Sequence, residues 1–286
     1  MAKKVLITSD STTDLSPELI ERYNVKVLPL GITLGSKTYR DGIDINPDII
    51  YENYNKTGEL PKTSAVNIDE CINFFASFVD EGYAIVHFSI SSEMSSTFNN
   101  CRLAAQEFED VYVVDTKNLS TGGGLMVISA AEMAEQGLEA KDISEKCNEL
   151  ASRIDASFII DNLEFLHKGG RCSAIAALGA NLLKLKPCVA VRNGKMGVIK
   201  KYRGKFETVL LEYIKDMIGD ATDIELDHVF VTHAGCEQSI CDACIEQVKS
   251  LADFKEIHFT RAGSTVSAHC GKNTLGVLFI RKSPLN

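Results

Sequence analysis

The chain has 286 residues, 45% hydrophobic and 24% charged, which is ordinary globular usage and excludes a disordered or fibrous protein. A net charge of -9 argues against a partner held by its phosphate backbone, so no nucleic acid is expected. No apolar run approaches the roughly 18 residues that a membrane span requires, so stable membrane insertion is not expected and the protein is assigned to the cytoplasm.

Short β-branched runs alternate with longer amphipathic stretches, the pattern of parallel strands joined by helical crossovers. The predicted strands are Val5 to Ser9, Val25 to Pro29, Ala84 to Phe88, Val111 to Asp115, Ser157 to Ile160, His228 to Thr232 and Glu256 to Thr260. Ser16-Pro17-Glu18 reads as an N-cap, a proline at the first helical position and an acidic first turn; Asn46-Pro47-Asp48 repeats that chemistry. Between Cys188 and Lys200, two strand-like runs meet at Asn193-Gly194, a hairpin signal in an otherwise parallel scheme. That change of style, after a helical stretch from about Lys141 to Arg153, places a boundary near residue 157. The expected architecture is α/β: two α/β domains, 1–157 and 158–286, with mainly parallel sheets, the second carrying an antiparallel hairpin.

The nine cysteines are odd in number and several lie in apolar stretches, which fits reduced, buried thiols better than a disulfide framework. His233, Cys236, Cys241 and Cys244 have a spacing that could close a zinc site. Against this, His233 ends a strand-like run while Cys241 and Cys244 look helical, so no metal is assigned. No Walker-type loop, nucleophile elbow, His-Glu-x-x-His helix or dinucleotide fingerprint is present, and no cofactor or catalytic residue is expected.

Hydroxyl-rich segments instead follow several predicted strands, where open α/β sheets hold their ligands. They are Ser9 to Asp14, Pro61 to Ser64, Ser89 to Thr97, and Asp115-Thr116 leading to Ser120-Thr121-Gly122-Gly123-Gly124. Free amides at helix N-termini suit a carboxylate or phosphate, although each segment alone is better explained by helix capping, and only their joint occurrence favours a ligand. Arg171 follows a Gly-Gly turn and could meet an anion or simply face solvent; His269 could be a ligand contact or a satisfied core histidine. A rival scheme makes the chain a phosphoryl-transfer or hydrolytic enzyme, with Asp10 or Asp115 as base and Gly122 to Gly124 as an anion cradle.

These segments together resemble the DegV family, fatty-acid-binding subunits of the bacterial fatty acid kinase system. The resemblance runs end to end through Ile7 to Leu15, Lys62-Thr63-Ser64, Ile90 to Phe98, Val114 to Gly124, Leu163 to Ser173, Leu183 to Pro187 and Ala268-His269-Cys270-Gly271. It implies a long-chain fatty acid enclosed between two α/β domains and a partner fatty acid kinase that phosphorylates the carboxylate, the carrier itself being no enzyme. It also implies that Thr63 and Ser95 bond the carboxylate with the amide of Ser96 nearby, and that His269 and Arg171 complete the polar surroundings. The chain departs from the family pattern at Ser96, where glycine is usual, and at Cys270-Gly271-Lys272-Asn273, which adds a positive charge beside the histidine turn.

Overall fold

The computed structural model describes residues 3–172 and 185–285. In chain order these contain β1 (Val5–Asp10), α1 (Pro17–Arg22), β2 (Lys26–Leu28), β3 (Gly31–Leu34), β4 (Lys37–Arg40), α2 (Pro47–Thr57), β5 (Lys62–Ser64), α3 (Ile68–Val79), β6 (Ala84–Ser89), α4 (Thr97–Ala104) and β7 (Val111–Asp115). There follow α5 (Thr121–Glu135), α6 (Ala140–Leu150), β8 (Ile154–Ile160), α7 (Glu164–Gly169), β9 (Lys186–Arg192) and β10 (Lys195–Tyr202). The last elements are α8 (Phe206–Ile218), β11 (Ile224–Ala234), α9 (Gln238–Leu251), β12 (Glu256–Arg261), α10 (Ser264–Cys270) and β13 (Thr274–Arg281). Ser173, Leu183 and Lys184, part of the resemblance above, lie outside the described residues.

Local chemistry explains the element ends. Ser16 and Asn46 accept the Leu19 and Ile49 amides ahead of a proline at N1. Asn193 and Gly194 both have positive φ, 50° and 81°, which a two-residue hairpin of matching twist requires. The four strands β2-β1-β6-β7 form a wholly parallel sheet, as expected from the alternating pattern. The second sheet, β10-β9-β8-β13-β11-β12, differs from the mainly parallel sheet expected: only β11 and β12 run parallel. Two causes combine: β13 returns through the tight α10 turn and slots antiparallel between β8 and β11, and the β9–β10 hairpin joins β8 antiparallel through β9. A third sheet, β4-β3-β5, is short and antiparallel. Residue 157, the boundary expected from the sequence, falls within β8, the strand by which the chain enters the six-stranded sheet.

Helix α5 lies between the two large sheets, touching β1 and β6 on one side and β8, β11 and β13 on the other. Its residues 121–128 are consecutively buried, as a helix covered on all sides must be. Gly122 and Gly124 allow this packing: a Cβ at Gly122 would lie 2.3 Å from Asn118 Oδ1, and one at Gly124 2.9 Å from the Thr13 carbonyl oxygen. One hydrophobic cluster therefore joins Val86 and Val114 of the first sheet to Ala156, Phe230 and Leu278 of the second. The nine cysteines are all buried. Among the described residues no helix is long and apolar enough to cross a membrane.

Candidate functional site

A slot with about 970 Å³ of empty space, its mouth included, opens between the loops after the parallel strands and one face of the six-stranded sheet. Its floor follows from strand periodicity. Ala156 and Phe158 on β8, Gly276 and Leu278 on β13, and Thr232 and Ala234 on β11 each recur at i, i+2, and cross-strand register sets Phe158 beside Gly276 and Gly276 beside Thr232. Gly276 is demanded by backbone proximity, because a Cβ there would stand 2.6 Å from the Ser157 carbonyl oxygen. Leu30, Met94, Leu119, Leu166 and Met196 complete a largely apolar lining.

Polar groups enter this lining at Thr63, Ser95, His269 and Arg171. Thr63, on β5, sits 2.9 Å from His269 Nε2 across 206 residues of sequence. Burial, followed by the nearby charge of Arg171, lowers the His269 pKa to about 4, so the imidazole is neutral at pH 7. If Nε2–H donates to Thr63 Oγ1, the Thr63 hydroxyl proton is free for an external acceptor. Ser95 Oγ accepts the Thr97 amide at 3.2 Å and lies 2.9 Å from Thr97 Oγ1, so this hydroxyl caps the start of α4 while also lining the slot. Capping and ligand contact were alternative readings of that segment, and the geometry is compatible with both. Arg171 is exposed, with Nη1 donating to the Gly169 carbonyl at 2.8 Å. Ser96 stands at the N-terminus of α4 with its side chain exposed and does not line the slot.

The helix that carries His269 is anchored by carboxylates. Asp41 accepts the amides of Ser264 and Thr265 at 2.9 and 3.1 Å, and Asp14 accepts that of Gly263 at 2.8 Å, so the first amides of α10 find acceptors. Asp14 also receives the Ser120 hydroxyl at 2.5 Å. Burial, reinforced by Asp41 and Asp10, raises the Asp14 pKa to about 8. Ser120 lines the slot in a strained backbone conformation, φ 52° and ψ -149°. Two buried polar atoms on α10 lack a hydrogen-bond partner, Thr265 Oγ1 and His269 Nδ1, and both residues line the slot. The Thr265 contribution was missed in the sequence, although its spacing four residues before His269 places both on one helix face.

The carboxylates of the enzymatic alternative are committed elsewhere. Asp10 accepts four bonds, from the Thr12 amide and hydroxyl, the Ser89 hydroxyl and the Ile90 amide, at 2.6 to 3.0 Å. Asp115 accepts the Ser92 and Lys117 amides and pairs with Lys117 Nζ at 2.9 Å. Neither lines the slot, and Gly122 to Gly124 serve helix packing. The ligand atoms of His233, Cys236, Cys241 and Cys244 do not converge on a metal position: His233 Nδ1 accepts the Cys236 amide, and Cys236 Sγ turns to the Thr274 carbonyl.

The DegV family model, described as that of an uncharacterised protein family, matches residues 4–282. A DegV domain-containing protein of Clostridium acetobutylicum is 31% identical over 286 residues, covering 98% of this chain and 99% of that one. Among solved structures, the chain is similar to a DegV family protein from Thermus thermophilus described by its fatty acid binding, with a TM-score of 0.90, 28% identity and coverage of 97% and 99%. It is also similar to a stearic acid-binding protein from Eubacterium ventriosum, with a TM-score of 0.84, 26% identity and 99% coverage of both chains. Matched along nearly its whole length by the family model and by these relatives, the chain belongs to the DegV family.

Proposed function

We propose that this protein binds one long-chain fatty acid in the slot, with the tail over the Gly276 floor and the carboxylate at the Thr63–His269 end. The single observation that carries this reading is the meeting of an apolar slot with neutral donors: Thr63 paired to a neutral His269, and Ser95 in the same lining. The fatty-acid-binding descriptions of the Thermus and Eubacterium proteins support it. Each methylene withdrawn from water contributes about 0.8 kcal/mol, so a sixteen-carbon chain offers on the order of 10 kcal/mol before ordering costs. A buried carboxylate opposes that gain unless several donors satisfy it. The hydroxyls of Thr63, Ser95 and Thr265 are placed to meet the demand, with the exposed Arg171 guanidinium at the mouth.

The bound carboxylate is then presented, in the cytoplasm, to a partner fatty acid kinase that transfers a phosphoryl group to it and forms an acyl phosphate; the carrier contributes no catalytic base. Denaturing the purified protein and analysing the extract by mass spectrometry tests the first step, with about one fatty acid per chain expected. An extract free of lipid, together with no uptake of added palmitate, would refute it. Incubating the loaded protein with a fatty acid kinase and ATP, then trapping acyl phosphate with hydroxylamine, tests the second. Acyl hydroxamate is expected only when both proteins are present.

A further inference from the structure

Away from the slot, two histidines and a glutamate meet at the outer edge of the six-stranded sheet. His228 on β11 pairs in register with Glu256 on β12, and His258 lies two residues further along β12 on the same face. His228 Nδ1 stands 3.0 Å from His258 Nε2, and His258 Nε2 stands 3.9 Å from Glu256 Oε2. One nitrogen from each ring and one carboxylate oxygen all lie within 4.8 Å of one another, the only such His/Cys/Asp/Glu group among the described residues. From the geometry we infer that His228, His258 and Glu256 form a binding site for a divalent zinc-class ion.

The donor chemistry supports this choice. Two imidazole nitrogens and one carboxylate oxygen are a borderline set, suited to zinc and its neighbours and poorly suited to the all-oxygen preference of calcium or magnesium. A second observation is independent of the three ligands: His228 Nε2 lies 3.0 Å from Glu132 Oε1 on α5. That carboxylate holds the ring proton on Nε2 and leaves Nδ1 with its lone pair, the outer-shell arrangement typical of metal-bound histidine. Tyr23 in turn donates to the same Glu132 oxygen at 3.3 Å.

Binding requires small movements. Tetrahedral bonds of about 2.0 Å put two ligand atoms about 3.3 Å apart, so the two nitrogens must separate by a few tenths of an ångström and the Glu256 oxygen must close by a little more. The rings, now within 24° of coplanar, must also tilt off their shared line. The proton between them moves to Nδ1 of His258, which leaves both imidazoles neutral. Arg22 holds Glu256 through both carboxylate oxygens, at 2.6 and 2.8 Å, and must withdraw its charge from the ion. Its side chain is 52% exposed and free to turn outward. Solvent completes the coordination, and the ion links β11 and β12 to α5 through Glu132.

The test uses the full chain stripped with a chelator and titrated with zinc alone, then with cobalt(II). One equivalent of zinc is expected per chain, with a raised melting temperature. The cobalt spectrum should show four-coordinate d–d bands and no thiolate charge-transfer band, which separates this site from the nine cysteines. The double variant His228→Asn, His258→Gln should lose the equivalent, Glu256→Gln should weaken binding at least tenfold, and Glu132→Gln by 10- to 100-fold through the orientation of His228. Retention of bound fatty acid by each variant reports that the fold is intact, since none of these residues lines the slot. If the double variant misfolds, the two single glutamate variants decide the matter. Failure of the wild-type chain to take up zinc, uptake unchanged in Glu256→Gln and Glu132→Gln, or a thiolate band in the cobalt spectrum would overturn the proposal.

Discussion

Thr63 and His269 illustrate how the proposed head-group contact is assembled from two ordinary residues. The threonine offers a hydroxyl, and a histidine kept neutral by burial fixes its orientation at 2.9 Å. Replacing Thr63 with alanine removes that donor and leaves His269 Nε2 without its partner. The expected cost is about 1 to 3 kcal/mol, which is roughly a 5- to 150-fold loss of fatty acid affinity measured by displacement of a fluorescent fatty acid. An unchanged affinity would remove Thr63 from the head-group site. At this scale the sequence was informative about residue type and silent about convergence. Thr63, Ser95, His269 and Arg171 all reach the slot, whereas Ser96 faces solvent one residue beyond the hydroxyl that lines it. Thr265 and Thr232 escaped notice because a lone hydroxyl in a helix or strand has no local signature; only the packing of α10 and β11 against the slot gives them a role.

Elements whose identity rests on local pattern were readable in advance, and those that rest on pairing were not. The strands β1, β6 and β7, the proline-led helices and the Asn193-Gly194 hairpin each carry their own signal. The strands β3, β4 and β5 are three or four residues long, too short for periodicity to register. The run Thr274–Arg281 is apolar enough to be a strand, yet nothing local says that it inserts antiparallel between β8 and β11. The placement of α10 depends similarly on a distant residue, Asp41, which binds two amides at its N-terminus. Asp41→Ala leaves both donors buried without an acceptor and should cost about 1 to 3 kcal/mol, read from the urea midpoint, with fatty acid affinity falling as His269 loses its fixed position. Asp41→Asn keeps one acceptor oxygen and should recover part of each loss; equal effects of the two changes would show that the carboxylate does not anchor α10.

Across the whole molecule, the buried titratable groups oppose one another in their effect on stability. Burial lowers the pKa of His87 to about 3 and those of His258 and His269 to about 4, all below the ordinary value of 6.5. The folded state therefore binds fewer protons than the unfolded chain between those limits, and stability rises with pH up to about 6.5 and is lost as pH falls toward 3. Asp14 acts in the other sense. Its pKa of about 8, against 3.8 in the free side chain, means that the folded state binds more protons, so its contribution is complete below 3.8 and declines as pH rises toward 8. Above pH 6.5 these three histidines are neutral in both states and contribute no slope, so they no longer mask the decline that Asp14 contributes. Urea midpoints measured from pH 4 to 9 should accordingly pass through a maximum near 7 and decline toward 8. Asp14→Asn keeps the shape of the carboxyl group and an acceptor for the Gly263 amide but cannot ionise. It should flatten the alkaline decline and preserve the acid one, whereas an alkaline limb identical to that of the wild-type protein would show that Asp14 is already ionised in the folded state.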